Sequence, residues 1–219
     1  MKKKSKKAFV WGISLLATFV LWTVFVRFVN VQRIGPRESS VGFAILNGYV
    51  HNLIGVNMSL YTITDWLGIV PIAVALGFAI LGLVQLIKRK SLWKVDDSIL
   101  ALGVFYIIVM AVYILFETVV INYRPTLIDG YLEASYPSST TMLVMCVMPT
   151  AAIDLQVRIK NALLRRYVII TIIAFTAFMV VARLLSGVHW ISDIIGGALF
   201  SAGLVMIYYS IRDILTKKC

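Results

Sequence analysis

Apolar residues fall into six long runs separated by short polar connections, at about 8–28, 66–87, 98–121, 138–156, 167–185 and 190–211. Each run is close to the roughly 20 residues that an α-helix needs to cross about 30 Å of hydrocarbon. The pattern predicts an all-α, polytopic membrane protein built as a six-transmembrane-helix bundle. A membrane β-barrel would instead show short segments of alternating polarity, which the long runs exclude. The first run follows a basic start, as a signal peptide would. Ala8 to Phe28 is long for that role and lacks a clear small-residue cleavage site, so it is expected to remain as an uncleaved anchor.

The longest connection, from Val29 to Asp65, is not uniformly polar. Between Val41 and Val56 it mixes apolar and small residues around His51, and reads as an interfacial helix or lid. No internal repeat, low-complexity tract or soluble domain interrupts the chain, so residues 1–219 are expected to form a single membrane domain.

Composition agrees: 60% of residues are hydrophobic, 14% are charged and the mean hydropathy is +0.91, too apolar for a soluble domain of this length. The net charge of +11 could suggest nucleic acid. The basic residues lie in clusters between apolar runs, however, and topology explains them better. One set of connections holds the clusters 2–7, 88–94, 158–166 and 212–218, whereas the alternate set holds only Arg27, Arg33, Arg37, Arg124 and Arg183. The positive-inside rule therefore expects an integral plasma (cytoplasmic) membrane protein with both termini cytoplasmic, whose connections around 122–138 and 183–189 lie outside. Cys146 and Cys219 offer no paired spacing for a disulfide framework or a metal site.

Ionisable residues near membrane depth are costly and point to function. On the expected outer side these are Glu117, Arg124, Arg183, His189 and Asp193. His189 and Asp193 stand four residues apart at the start of the sixth run, where a helix would put them on one face within hydrogen-bonding reach. A carboxylate on one ring nitrogen fixes the tautomer and leaves the other free as base or nucleophile. The planar forks of the two arginines suit phosphate oxygens, and Ser138 and Ser139, at the start of the fourth run, can add hydroxyl and helix N-terminal donors.

These residues carry a resemblance to the type 2 phosphatidate phosphatase family of membrane lipid phosphatases, whose pattern has three blocks. The third, Ser-Arg, five residues, His, three residues, Asp, is met by Ala182 to Asp193 with only the leading serine replaced. Arg124-Pro125 matches the end of the first block, a lysine, six residues and Arg-Pro. Tyr136-Pro137-Ser138-Ser139-Thr140-Thr141 resembles the second, Pro-Ser-Gly-His, at its proline and first serine. The resemblance covers about 117–200. It implies a lipid phosphate substrate and no metal or other cofactor. His189 would attack phosphorus, Asp193 would orient it, and Arg124, Arg183 and Ser138, with Ser139, would cradle the phosphoryl oxygens.

Two departures from the family bear on the chemistry: Glu117 stands in place of the lysine and Thr140 in place of the second-block histidine. That histidine is the expected general acid, and threonine has no accessible pKa for the task. A stable phosphate leaving group needs no proton, so the departures point to lipid diphosphates, such as a polyprenyl diphosphate, over monoesters. Glu117 is expected either to position Arg124, seven residues away, or to satisfy another polar group. His51, Asp129 and Glu133 are the other candidate acids. The alternative is an impaired member of the family that holds a phospholipid head group without turnover.

Overall fold

The computed structural model describes residues 3–215. Eight α-helices account for most of them: α1 (Lys3–Phe28), α2 (Ala44–Ile54), α3 (Met58–Leu67), α4 (Ile69–Arg89), α5 (Asp97–Thr118), α6 (Ser139–Arg158), α7 (Ala162–Leu185) and α8 (Ile191–Leu215). Six segments are long and apolar enough to span a bilayer, with α3 and α4 together counting as one of 32 residues. The chain is an integral multi-pass membrane protein, and the six expected runs correspond in order to α1, α4, α5, α6, α7 and α8.

The second span begins earlier than its apolar run implied. Asn57 caps α3 by accepting the Leu60 N–H at 2.9 Å, a polar start signal that an apolar window passes over. The chain then turns at Gly68, and Pro71 sits in the first turn of α4, where a missing N–H costs nothing. The segment read as an interfacial helix or lid is α2, which packs against α8.

Helix α8 is the axis of the bundle, in contact with α1, α2, α5, α6 and α7. Its small residues make this possible. A Cβ on Gly12 would lie 2.8 Å from the Gly203 carbonyl oxygen, so α1 and α8 meet backbone to backbone, as small residues permit in lipid. Between these helices Phe19 contacts the rings of Phe116, Tyr136 and Phe200, with centroids 5.9, 6.3 and 5.2 Å away. Each such pair adds about 0.5–1.5 kcal/mol beyond area burial. Because Tyr136 belongs to the α5–α6 connection, this cluster fastens that connection to the bundle.

Polar groups gather at both ends. At one, Asp154 on α6 is fully buried and pairs with Arg212 of α8 at 2.9 Å and with Tyr208, while Asp96 pairs with Arg89 at 2.9 Å and Arg158 at 3.4 Å. At the other end lies the candidate site.

Candidate active site

The α7–α8 connection is a tight turn that depends on Gly187. Gly187 has φ +68°, and a Cβ there would stand 1.9 Å from the Gly55 carbonyl oxygen, so glycine is needed both for the left-handed backbone and for the close approach. The Asn57 N–H donates to the Ser186 carbonyl at 2.9 Å, tying the turn to the start of α3. His189 follows, just ahead of α8 and not on it. This corrects the expectation that His189 and Asp193 share a helical face and bond directly: Nδ1 and the Asp193 Oδ2 are 3.9 Å apart. The hydroxyl of Ser135 stands between them. It lies 3.0 Å from His189 Nδ1 and donates to the Asp193 carboxylate.

These contacts settle the tautomer. Nδ1 also lies 3.1 Å from the Ser135 carbonyl oxygen, which can only accept, so Nδ1 is the donor and bears the proton. Nε2 then carries the lone pair, and it is buried without a hydrogen-bond partner among the described residues. Burial first, and then the positive charges of Arg124 and Arg183, hold the His189 pKa well below 6.5. The imidazole is neutral at neutral pH, the state a nucleophile requires.

Asp193 is held by more than Ser135. It accepts from the Trp190 N–H at 2.9 Å and from the Ser192 hydroxyl at 3.3 Å, while its own carbonyl accepts the Ser138 N–H at 3.1 Å. The α5–α6 connection is thereby docked on the start of α8. Gly196 and Gly197 make room, since a Cβ on Gly196 would fall 2.6 Å from the Tyr136 ring and one on Gly197 would fall 3.2 Å from the Ser138 carbonyl oxygen.

The two arginines whose charge reaches His189 help to line a polar cavity of about 600 Å³, with Tyr61, Glu117, Ser139 and Thr140 among its other residues. Both arginines keep unused donors: Nη1 of Arg124 and Nε of Arg183 are buried without hydrogen-bond partners. The Arg183 Nη1 donates to Thr64 Oγ1 at 3.2 Å, and its Cζ stands 4.7 Å from the Tyr61 ring centroid. Arg124 lies over the same ring at 5.9 Å. The hydroxyls of Ser138 and Thr141, at the start of α6, are buried without partners among the described residues, and the N-terminal amides of that helix add positive potential. Unsatisfied buried donors are costly. Donors of this kind suit an anion with several oxygens.

The structure thus brings Arg124, Arg183, His189 and Asp193 together at one end of the bundle, with Ser138 and Ser139 at the adjoining start of α6. Glu117, at the exposed end of α5, and Thr140 line the cavity. Arg124 pairs with Glu133, at 3.1 Å, and not with Glu117, which makes no ion pair among the described residues. Asp129 sits at the turn of the loop, apart from the cavity-lining residues, and His51 packs its ring 5.3 Å from that of Trp190. Ser135, Tyr61 and Thr64 were not singled out from the sequence. Tyr61 and Thr64 do stand three residues apart, one helical turn, and Asp65, 3.9 Å from Arg183, extends the same face.

The model of the PAP2 superfamily matches residues 119–217, which include every one of these groups except Glu117 and those of α2 and α3. The whole fold is similar to a crystal structure from Bacillus subtilis described as the first transmembrane PAP2-type phosphatidylglycerolphosphate phosphatase. That likeness has a TM-score of 0.54 at 19% identity and covers 93% of this chain and 95% of that one. Comparison with curated proteins gives no match. A fold similar to that of this membrane phosphatase therefore holds the histidine, the arginines and the cavity.

Proposed function

We propose that the protein is a membrane lipid phosphatase or diphosphatase working through a phosphohistidine, with its site on the extracytoplasmic side and both termini cytoplasmic. The observation that carries this reading is the buried, neutral His189, whose Nε2 has no partner among the described residues and whose ring feels the charge of two arginines. Nε2 attacks the terminal phosphorus as its bond to the leaving oxygen breaks, and the arginines and the α6 start stabilise the charge on the equatorial oxygens. Water then cleaves the N–P bond and releases inorganic phosphate.

A second cavity supports a lipid substrate. An apolar cleft of about 360 Å³, lined by Ile69, Ile72, Val109, Met110 and Leu143, shares Asp65, Tyr113, Ser139 and Thr140 with the polar one. A phosphate in the polar cavity would leave its hydrocarbon in the cleft. Thr140 offers the leaving group no proton, which favours diphosphates such as a polyprenyl diphosphate, whose leaving lipid monophosphate is a stable anion.

Phosphate release by the purified protein in detergent tests the reading, with polyprenyl diphosphate and phosphatidate compared and His189→Ala as control. Turnover abolished by His189→Ala supports it, and diphosphate should be the faster substrate. Absence of turnover on both lipids with head-group binding retained would favour the alternative, a site that binds without catalysis.

A further inference from the structure

We propose that Ser135 is a positioning residue of this site, whose hydroxyl couples Asp193 to the attacking ring. The inference deepens the phosphatase reading and rests on it. The carboxylate does not reach the imidazole: at 3.9 Å Asp193 Oδ2 is beyond hydrogen-bonding distance of Nδ1. The Ser135 hydroxyl completes the chain, accepting from Nδ1–H at 3.0 Å and donating its single proton to Oδ2. All three residues are buried, at 2%, 3% and 0% exposure for Ser135, His189 and Asp193, so bulk solvent does not compete for these bonds. In so dry a place hydrogen bonds in series polarise one another.

The coupling matters when Nε2 bonds to phosphorus. The ring then becomes an imidazolium, Nδ1–H becomes a stronger donor, and the charge is met by the carboxylate through the hydroxyl. The Ser135 carbonyl, also 3.1 Å from Nδ1, fixes the tautomer but brings no negative charge. The two acceptors of one residue therefore divide the work: the carbonyl orients the neutral ring, and the hydroxyl stabilises the charged one.

Ser135→Ala separates these roles. The carbonyl remains, Asp193 keeps the Trp190 N–H and the Ser192 hydroxyl, and its own carbonyl still accepts the Ser138 N–H, so the loop stays docked. The expected result is a fall in kcat and in the rate of His189 phosphorylation of roughly 10–100-fold, with KM within about twofold, because the interaction strengthens only as charge develops. Asp193→Asn should then cost much less in the Ser135→Ala background than in the wild type, since both changes cut one path. Wild-type kcat in Ser135→Ala, or losses that multiply in the double variant, would overturn the proposal. A spectroscopic arm is independent of turnover. In ¹⁵N-histidine protein, Asp193→Asn should shift the His189 Nδ1 resonance only while the Ser135 hydroxyl is present, and an equal shift in both backgrounds would also overturn it. If His189→Ala leaves phosphate release intact, the phosphatase reading fails, while the resonance still reports on the coupling.

Discussion

Arg183 Cζ lies 4.7 Å from the Tyr61 ring centroid, so a residue of α3 carries the flat face of a guanidinium whose Nε points unpaired into the site. A buried cation–π contact contributes on the order of 2 kcal/mol, and contact through the flat face leaves the in-plane N–H groups not already donated to Thr64 open to oxygen ligands. Tyr61 is thereby a support for the phosphate cradle. Tyr61→Leu should raise KM for a lipid phosphate by roughly 5–30-fold, with a smaller change in kcat. Tyr61→Phe keeps the ring and should stay near wild type. Steady-state phosphate release distinguishes the two, and equal losses in both variants would point to the phenol oxygen instead of the ring face.

Glu117 lines the same cavity without a cationic partner among the described residues, and Arg124 pairs with Glu133 instead. A bound dianion must tolerate that carboxylate. Glu117→Gln should lower KM by roughly threefold, and Glu117→Lys by more, with the gain shrinking as added salt screens the site. Substrate titrations at low and high ionic strength check this. An increase in KM for Glu117→Gln would mean that the carboxylate recognises something positive in the substrate.

The bundle was legible in the sequence because hydrocarbon imposes a length and a polarity that each span must satisfy alone. Arg124, Arg183, His189 and Asp193 were legible because their order and spacing repeat a known pattern. Ser135 and Tyr61 were not. A serine in a loop and a tyrosine ahead of an apolar run carry no periodic signal. Their roles arise only when Gly187 lets the α7–α8 turn cross the backbone at Gly55, and Gly196 lets the Tyr136 loop lie on α8. The direct His189–Asp193 bond was misjudged for a related reason. The four-residue spacing implies one helical face, but α8 starts at Ile191, after the histidine.

Thr140 lines the polar cavity where an acid would serve the leaving oxygen. Thr140→His should raise turnover of a monoester such as phosphatidate by roughly 10–100-fold while changing diphosphate turnover little, because only the alkoxide needs the proton. Parallel assays on the two lipids test it. A proportional gain on both would show that the leaving group does not limit the reaction.

Gly196 offers a test of how the site is held. A Cβ there would press 2.6 Å from the Tyr136 ring, whereas one on Gly77 in α4 meets nothing within 4 Å. Gly196→Ala should cost about 1–3 kcal/mol through overpacking and displace the loop that carries Ser135 and Ser138. Gly77→Ala should be neutral or slightly stabilising. Thermal melts in detergent alongside activity check both, and a Gly196→Ala protein of wild-type stability and rate would show that the loop docks less tightly than these distances imply.

The chain has two histidines, which makes the protonation state of the site directly measurable. His189 is held well below 6.5 by burial and by the two arginines, and His51, half-buried, is lowered by burial. In ¹³C-histidine protein the His189 signal should remain in its neutral position as pH falls through 6.5 and for some distance below, and His51→Gln assigns the pair. The sign for stability follows from linkage: the unfolded ring takes up a proton near 6.5 and the folded one does not, so His189 lowers stability progressively as pH falls from about 6.5 toward its folded pKa. Above 6.5 it contributes no such slope. Arg124→Gln removes one of the two nearby charges and should move the titration of His189 upward, toward 6.5. A ring that titrates at 6.5 in the wild type would instead place His189 in contact with water and away from both guanidinium groups.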